Sequence, residues 1–315
     1  MARLVEANLP APGGDFRFVS QLTTGNFPNP DSFKLALPWP DDIVGIASFF
    51  YYGNRNQTAD FKARKENVTE VVIDILGGQD HRMYWSANGN ISFPRDAGVY
   101  FDSSAKFERL RDIKGCVDPG NMFDSMMSIP LPDTTPTCEY PVEQIQEVRV
   151  TCGSVVESTI PDAIVSFAEE GIFEGNVILP SNQTGYYEAS RQFASPYFPD
   201  RIRPSFIVEA ATERDVQAAV RFAGQCGYTV SARSGGHSYL GLSSCDSSKR
   251  PCLQIDVKKL NQTSFSQQTG LAFGPGITLE EMGQVLLATG THLPSGECSS
   301  VRIGGHMQTG GFGLW

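Results

Sequence analysis

Two glycine-rich stretches hold the residue types in this chain that can do chemistry. The first, "RSGGHSY" (233–239), places two adjacent glycines and His237 directly after a predicted strand. The second, "SGECSSVRIGGHMQTGGFG" (295–313), combines Cys298 with a high density of glycines. Adjacent glycines let backbone N–H groups converge on an anion, because no Cβ blocks a close approach. Both stretches therefore suit a flat, phosphate-bearing cofactor; the alternatives are an ordinary glycine turn and a glycine-rich surface loop.

Other kinds of site fit these residues less well. The His and Cys residues are not paired at zinc-like spacings. The sequence has no GxSxG nucleophile elbow and no GxGxxG after a strand, which argues against a hydrolase and a Rossmann site. His237, taken alone, is as compatible with a hydrogen-bonded structural histidine as with a functional one.

A regular pattern of strands and helices leads into both stretches. "SFIVEA" predicts a strand, "TERDVQAAVRFAGQCG" a helix from an N-cap at Thr212 to Gly227, and "YTVSARSGG" a second strand. This is a β-α-β unit with an expected right-handed crossover. Further strands are predicted over 253–257 and 271–276, and a helix runs between Thr278 and Gly290.

The earlier part of the chain mixes strands and helices. Residues 43–52 predict a strand, and 56–78 predict a polar helix. "SAKFERLRDIKG" predicts a short helix that ends at Gly115, followed by a turn at 118–120.

Composition limits the function classes. The net charge of -10 argues against nucleic acid as a partner, since phosphate binding needs a basic face. No segment approaches the ~20 apolar residues of a membrane span, and the N-terminus lacks the apolar region of a signal peptide. Seven cysteines suit disulfides plus one spare thiol. Five Asn-x-Ser/Thr sequons predict a secreted glycoprotein whose true start is not here, unless the motifs recur by chance: Asn56, Asn67, Asn90, Asn182 and Asn261.

Four elements together carry a family resemblance: "P-x-x-IV-x-A" with "DVQAAVRFA", then "ARSGGHSY", "GPG" and "SGEC-x-x-V-x-IGGH-x-x-x-GGFG". In this order they resemble the first half of the PCMH-type FAD-binding domain of the vanillyl-alcohol-oxidase superfamily. Within it, the similarity is to the berberine-bridge-enzyme-like oxidases. The resemblance implies an α+β fold and FAD as cofactor.

The resemblance also implies a flavin attached twice, through His237 to its 8α carbon and through Cys298 to its C6. Backbone amides of 234–238 would hold the pyrophosphate. Cys298 would be the spare thiol, although pairing with another cysteine is the alternative. The implied cofactor-binding residues are His237, Cys298, Arg233, Ser234, Gly235, Gly236, Ser238, Tyr239, Gly304, Gly305, Gly310 and Gly311. Cys245 and Cys252 are spaced for a local disulfide; Cys138 and Cys152 either bridge each other or are unrelated thiols.

Residues 99–130 resemble the C-terminal closing segment of the same family. The expected organisation is therefore the end of an oxidase-like unit at 1–133, comprising the end of a substrate domain and the closing segment, a linker at 134–160, and the start of an FAD-binding domain at 161–315. This order is inverted relative to the family. A circular permutation is one explanation. A junction between two tandem units or merged genes is favoured, because the later half of the FAD domain and the start of the substrate domain are not in the chain.

The resemblance implies an FAD-dependent oxidoreductase. Its partners would be a small-molecule substrate (an alcohol, sugar or secondary metabolite) and O2. One departure stands against it: Asn90 occupies the place of a family tyrosine often assigned as the base, and an amide cannot accept a proton as a tyrosinate does. An alignment shifted by a few residues would let Tyr84 or Tyr100 take this place instead. The catalytic residue is therefore unassigned. The alternative is a truncated or non-catalytic flavin- or carbohydrate-binding glycoprotein.

Overall fold

The computed structural model describes residues 17–26, 42–51, 101, 103–125, 128–138, 152, 156–168, 173–193, 195, 202–248 and 250–311. They fall into two compact units. In the first, strands β1 (Arg17–Asn26) and β2 (Asp42–Tyr51) form an antiparallel pair in which Arg17 lies opposite Tyr51. This confirms the strand predicted over 43–52. The helix predicted over 56–78, and Asn90, lie outside the described residues.

The second unit contains the sheet that leads into both glycine-rich stretches. It consists of β3 (Asn176–Ile178), β4 (Phe206–Glu209), β5 (Thr229–Arg233) and β6 (Cys252–Asp256). The order of the strands across the sheet is β3-β4-β6-β5. β6 is parallel to both β4 and β5, and β3 is antiparallel to β4. Every residue of β6 is buried, as expected of a parallel strand covered on both faces. The mixture of helices and sheet confirms the α+β class.

Helix α4 (Glu213–Cys226) joins β4 to β5 and confirms the predicted β-α-β unit. It begins with the predicted cap, in which the Thr212 side chain accepts from the Asp215 N–H, and ends at Gly227 with a positive φ of 70°. Its apolar face packs on the sheet, where the rings of Phe206 and Phe222 meet edge-on at 5.8 Å. β6 lies between the two joined strands, which the local pattern did not predict.

Shorter elements complete this unit. Helix α2 (Ile160–Phe167) follows a 3-10 turn, and α3 (Gln183–Ser190) follows β3. After the sheet come the antiparallel pair β7 (Thr263–Ser266) and β8 (Gly270–Phe273), helix α5 (Leu279–Thr289) and helix α6 (Ile303–Thr309). The predicted caps of α5 are confirmed: Thr278 caps its start and Gly290 ends it.

Helix α1 (Ser104–Val117) runs two residues beyond its predicted end, so the predicted stop at Gly115 is wrong. The chain turns instead at Asp118, whose carboxylate accepts from the backbone N–H groups of Met122 and Phe123 at 2.7 and 2.9 Å. Lys114 forms an ion pair with the same carboxylate. Beyond the turn, the Met122 carbonyl accepts a hydrogen bond of 2.8 Å from the Val230 N–H on β5.

The disulfides resolve the open cysteine predictions. Cys245 pairs with Cys252, as predicted. The predicted bridge between Cys138 and Cys152 is wrong. Cys138 pairs with Cys116 in the last turn of α1, and Cys152 pairs with Cys226 at the end of α4. Cys298 is a free, exposed thiol, so its predicted role as the spare cysteine is confirmed.

Neither a membrane segment nor a metal cluster is found within the described ranges. No helix there combines the length and apolar character that crossing a bilayer requires. No three His, Cys, Asp or Glu side chains in those ranges lie close enough to share a metal ion.

Candidate functional site

The two glycine-rich stretches meet at the carbonyl of Pro275. The Ser234 hydroxyl donates to this oxygen at 2.6 Å, and the Gly304 N–H donates to it at 3.0 Å. A Cβ on Gly304 would lie 3.0 Å from the Ser234 Oγ, so a side chain there would push the stretches apart. The fold therefore brings 233–239, at the end of β5, against the segment that begins α6.

The turn after β5 presents a run of unused backbone donors. In the part of the chain that the structure describes, the N–H groups of Gly235, Gly236, His237 and Ser238 donate to no protein acceptor. Such consecutive N–H groups form anion-binding concavities. Gly236 has a φ of 68°, and a Cβ there would lie 2.6 Å from Arg233 Nη2. Only glycine suits that position without strain.

Arg233 stabilises this turn through contacts of its guanidinium group. Its Nη1 contacts the fully buried Asp256 carboxylate at 3.0 Å and donates to the Ala189 carbonyl at 2.9 Å. Its Nη2 donates to the Arg191 carbonyl at 2.7 Å. Burial raises the pKa of Asp256, against the lowering effect of the Arg233 charge. These contacts give Arg233 a structural task, and its predicted contact with a cofactor stays a prediction.

The His237 ring lies between Ser300 and Phe193. Its Nε2 lies 3.2 Å from the Ser300 Oγ, and the Phe193 ring stacks on it at 4.4 Å between centroids. Burial lowers the pKa of His237 and the nearby Arg233 charge lowers it further, whereas a hydrogen bond with the backbone of Ser300 raises it. A neutral imidazole keeps one nitrogen lone pair available for bond formation.

Cys298 lies beside the same serine. Its Sγ is 3.8 Å from the Ser300 Oγ, so the hydroxyl lies between the thiol and the His237 ring. The two residues predicted to attach a cofactor, far apart in sequence, therefore converge on one side chain. Sequence reasoning missed Ser300, although its place two residues after Cys298 was a usable signal.

The second histidine of the glycine-rich segment has a structural role. His306 is buried, and its Nε2 accepts from the Gly296 N–H at 3.2 Å, which ties the loop of Cys298 to α6. A Cβ on Gly311 would lie 2.4 Å from the His306 ring. Among the remaining predicted residues, Ser238 accepts from Leu242 through its hydroxyl, whereas Tyr239, Gly305 and Gly310 are exposed.

Comparison with known proteins decides what kind of domain this is. The family model described as an FAD binding domain matches residues 204–315. Residues 204–315 are therefore similar to this FAD binding domain family. The predicted PCMH-type fold and the resemblance to berberine-bridge-enzyme-like oxidases are thereby confirmed for this part of the chain.

Curated relatives match part of the chain. "Berberine bridge enzyme-like 24" of Arabidopsis thaliana is 33% identical over 125 residues, which are 39% of this chain and 23% of that protein. "Reticuline oxidase" of Eschscholzia californica is 32% identical over 125 residues, 38% of this chain and 23% of its own length. "Carbohydrate oxidase" of Microdochium nivale is 34% identical over 113 residues, which are 35% of this chain and 23% of that protein. The chain thus spans about a quarter of these relatives.

A solved structure, that of wild-type BBE-like 1 of Physcomitrella patens, is also similar to part of this chain. The alignment covers 46% of this chain and 29% of that protein, with 26% sequence identity and a TM-score of 0.39.

The site in the FAD binding domain fits FAD on its own geometry. FAD carries an anionic pyrophosphate, and the four unused N–H groups from Gly235 to Ser238 are suited to bind one. A Cβ on Gly235 would lie 3.2 Å from Arg302, and one on Gly304 would lie 3.0 Å from Pro275, so both glycines allow a close approach of the backbone. The turn therefore has the backbone donors that the cofactor needs.

A substitution of Gly236 tests this turn of the FAD binding domain. We expect Gly236→Ala to destabilise the protein by about 1–2 kcal/mol, because alanine at positive φ is strained and its Cβ meets Arg233. Gly305→Ala is the matched control: its Cβ meets nothing within 4 Å, and alanine favours helix α6 by up to about 1 kcal/mol. Urea unfolding of both variants measures the difference, and equal stabilities would contradict the strained turn.

Proposed function

We propose that this chain is part of an FAD-dependent oxidoreductase. The enzyme holds its flavin covalently and oxidises an alcohol, sugar or secondary metabolite. The observation that carries the proposal is the convergence of His237 and Cys298 on Ser300 beside the unused N–H groups of the FAD binding domain. The names of the relatives, a reticuline oxidase and a carbohydrate oxidase, support an organic small molecule as substrate.

In this proposal, each group has a defined task. The N–H groups from Gly235 to Ser238 bind the pyrophosphate, and Arg233 holds the turn through its ion pair with Asp256. His237 and Cys298 would each form one bond to the cofactor. Bound FAD would supply the hydride acceptor for the substrate C–H bond, with O2 as the proposed acceptor of the two electrons. Two bonds would restrict the position of the cofactor.

The domain organisation belongs to the same proposal. Residues 1–133 are proposed to be the end of an oxidase-like unit, 134–160 a linker, and 161–315 the first part of an FAD-binding domain. The hydrogen bond from Val230 to Met122 supports a packing role for the closing segment, because it joins 118–123 to the sheet of the FAD binding domain.

The parent protein is proposed to be a secreted glycoprotein. Three disulfides among the described residues suit an oxidising compartment. Two of the sequon asparagines are described, and both Asn182 and Asn261 are exposed. The Asn182 Oδ1 caps α3 by accepting from Gly185 at 3.1 Å, which leaves its Nδ2 as the atom that a glycan would use.

Covalent flavin is the direct test of the proposed function. We expect the 315-residue chain, expressed through a secretory pathway, to keep flavin fluorescence after acid precipitation and to show the added mass of FAD. A protein that is folded by circular dichroism but free of flavin mass would overturn the proposal.

A non-catalytic flavin- or carbohydrate-binding protein is the second candidate. The sequence observation in its favour is Asn90, which cannot act as a base in the place of the family tyrosine. The two candidates differ in one measurement. An oxidoreductase bleaches its flavin absorbance when mixed anaerobically with a reducing substrate, whereas a binding protein retains the absorbance against a panel of alcohols and sugars.

A further inference from the structure

One hydroxyl lies between the two side chains proposed to bond the cofactor. Ser300 Oγ is 3.2 Å from His237 Nε2 and 3.8 Å from Cys298 Sγ. A hydroxyl has one proton to donate and lone pairs that accept. It can therefore accept from one neighbour while it donates to the other.

The backbone fixes where Ser300 stands. The Val301 N–H donates to the Cys298 carbonyl at 3.0 Å and closes a tight turn around Ser299 and Ser300. The start of α5 holds this turn from outside, because the Leu279 N–H donates to the Val301 carbonyl at 2.8 Å and Glu280 donates to Ser299 at 3.1 Å. The hydroxyl is therefore placed by main-chain contacts that a change of its own side chain leaves intact.

The His237 ring is fixed from its other side. Phe193 stacks on the imidazole with an angle of 21° between the ring planes, and its N–H donates to the Gly236 carbonyl at 2.9 Å. The stacked ring restricts rotation of the imidazole about its side-chain bonds. Nε2 is the nitrogen that lies within hydrogen-bond distance of the Ser300 hydroxyl.

We propose that Ser300 is a positioning residue whose hydroxyl accepts from His237 Nε2–H, frees Nδ1 as the nucleophile, and directs its own proton to Cys298 Sγ. This inference rests on the proposed function for its chemical purpose, but the tautomer it assigns is a property of the protein alone. An imidazole that carries its proton on Nδ1 has no lone pair there, so the choice of tautomer decides whether that nitrogen can form the bond.

The attachment that Ser300 would assist is a net two-electron oxidation. The bond from Nδ1 would replace one C–H bond of the cofactor. The carbon would lose its hydrogen together with the two electrons of that bond, and Nε2 would lose a proton, so that two protons and two electrons are released in total. O2 takes them up and becomes hydrogen peroxide. Ser300 faces the nitrogen that releases its proton, and the same balance holds for the thiol proton of Cys298.

Nitrogen NMR of the 315-residue chain labelled with ¹⁵N-histidine tests the assignment. The chain has four histidines, and His237→Ala identifies the signal. We expect the Nε2–H tautomer in the wild type and in Ser300→Thr, which keeps the hydroxyl. Ser300→Ala should show a mixture of tautomers, and Ser299→Ala, in the same turn, should show no change. A wild-type ring protonated on Nδ1, or an unchanged tautomer in Ser300→Ala, would overturn the proposal.

The rate of attachment provides the second readout. In a Cys298→Ala background, which leaves His237 as the one proposed attachment site, Ser300→Ala should slow the appearance of FAD-linked mass about fivefold, the effect expected from loss of one hydrogen bond. Ser300→Thr should restore the rate. An equal rate in all three proteins would contradict the proposal. If no protein acquires flavin, the proposed function fails, while the comparison of tautomers in the wild type, Ser300→Thr and Ser300→Ala still tests the role of Ser300. If Ser300→Ala misfolds, a wild-type ring protonated on Nδ1 would still overturn the proposal.

Discussion

Replacing His237 and Cys298 together by alanine is expected to abolish covalent retention of flavin. The two side chains converge on Ser300, and in the described part of the chain Cys298 is the one free thiol. Removal of both side chains therefore removes the two proposed bonds to the cofactor. Acid precipitation, flavin fluorescence and intact mass measure the loss; non-covalent flavin is released by the acid.

The single variants separate the two bonds. His237→Ala and Cys298→Ala should each keep one linkage, with flavin still retained by the precipitate. His292→Ala is the matched control, because His292 is exposed and lies outside the two glycine-rich stretches, 233–239 and 295–313. Covalent flavin that survives in the double variant would show that the attachment residues are assigned wrongly.

Removing the Asp256 carboxylate is expected to cost about 3–5 kcal/mol of unfolding free energy. Asp256 is fully buried and pairs with Arg233, whose side chain is 12% exposed. Asp256→Ala leaves the guanidinium buried without its counter-charge beneath the 234–238 turn. Urea unfolding followed by circular dichroism measures the loss, and weaker retention of flavin should accompany it.

Two further substitutions define what the carboxylate contributes. Asp256→Asn keeps the shape of the side chain and its hydrogen-bonding oxygen, so it should cost less than alanine. Asp112→Ala, at an exposed position of α1, should change stability by no more than about 0.5 kcal/mol. If Asp256→Ala behaves like Asp112→Ala, the ion pair does not stabilise the turn.

Local features of the fold were predictable because they depend on neighbours in sequence. Thr212 and Asp215 form a reciprocal cap three residues apart, and Gly227 adopts the left-handed conformation that ends a helix. The bridge of Cys245 to Cys252 spans seven residues and needs no knowledge of the rest of the fold. These contacts are encoded in short windows of the sequence.

Non-local features were not predictable in the same way. The insertion of β6 between β4 and β5 depends on sheet assembly, and the pairing of Cys152 with Cys226 joins residues 74 apart. For the site, the glycine pattern predicted the turn, and the family resemblance implied His237 and Cys298 as the attachment residues. It did not predict that Arg233 is engaged by Asp256, because that partner comes from a different strand.

The hydrogen bond between Met122 and β5 bears on how the protein behaves at high concentration. Among the described strands of its sheet, β5 lies at one end, and an edge strand offers free backbone groups to which a second molecule can add its own strand. The Met122 carbonyl accepts from the Val230 N–H at this edge, and Asp118 holds the turn that contains Met122. A residue from a distant part of the sequence thereby occupies one backbone donor that a second molecule would otherwise use to extend the sheet.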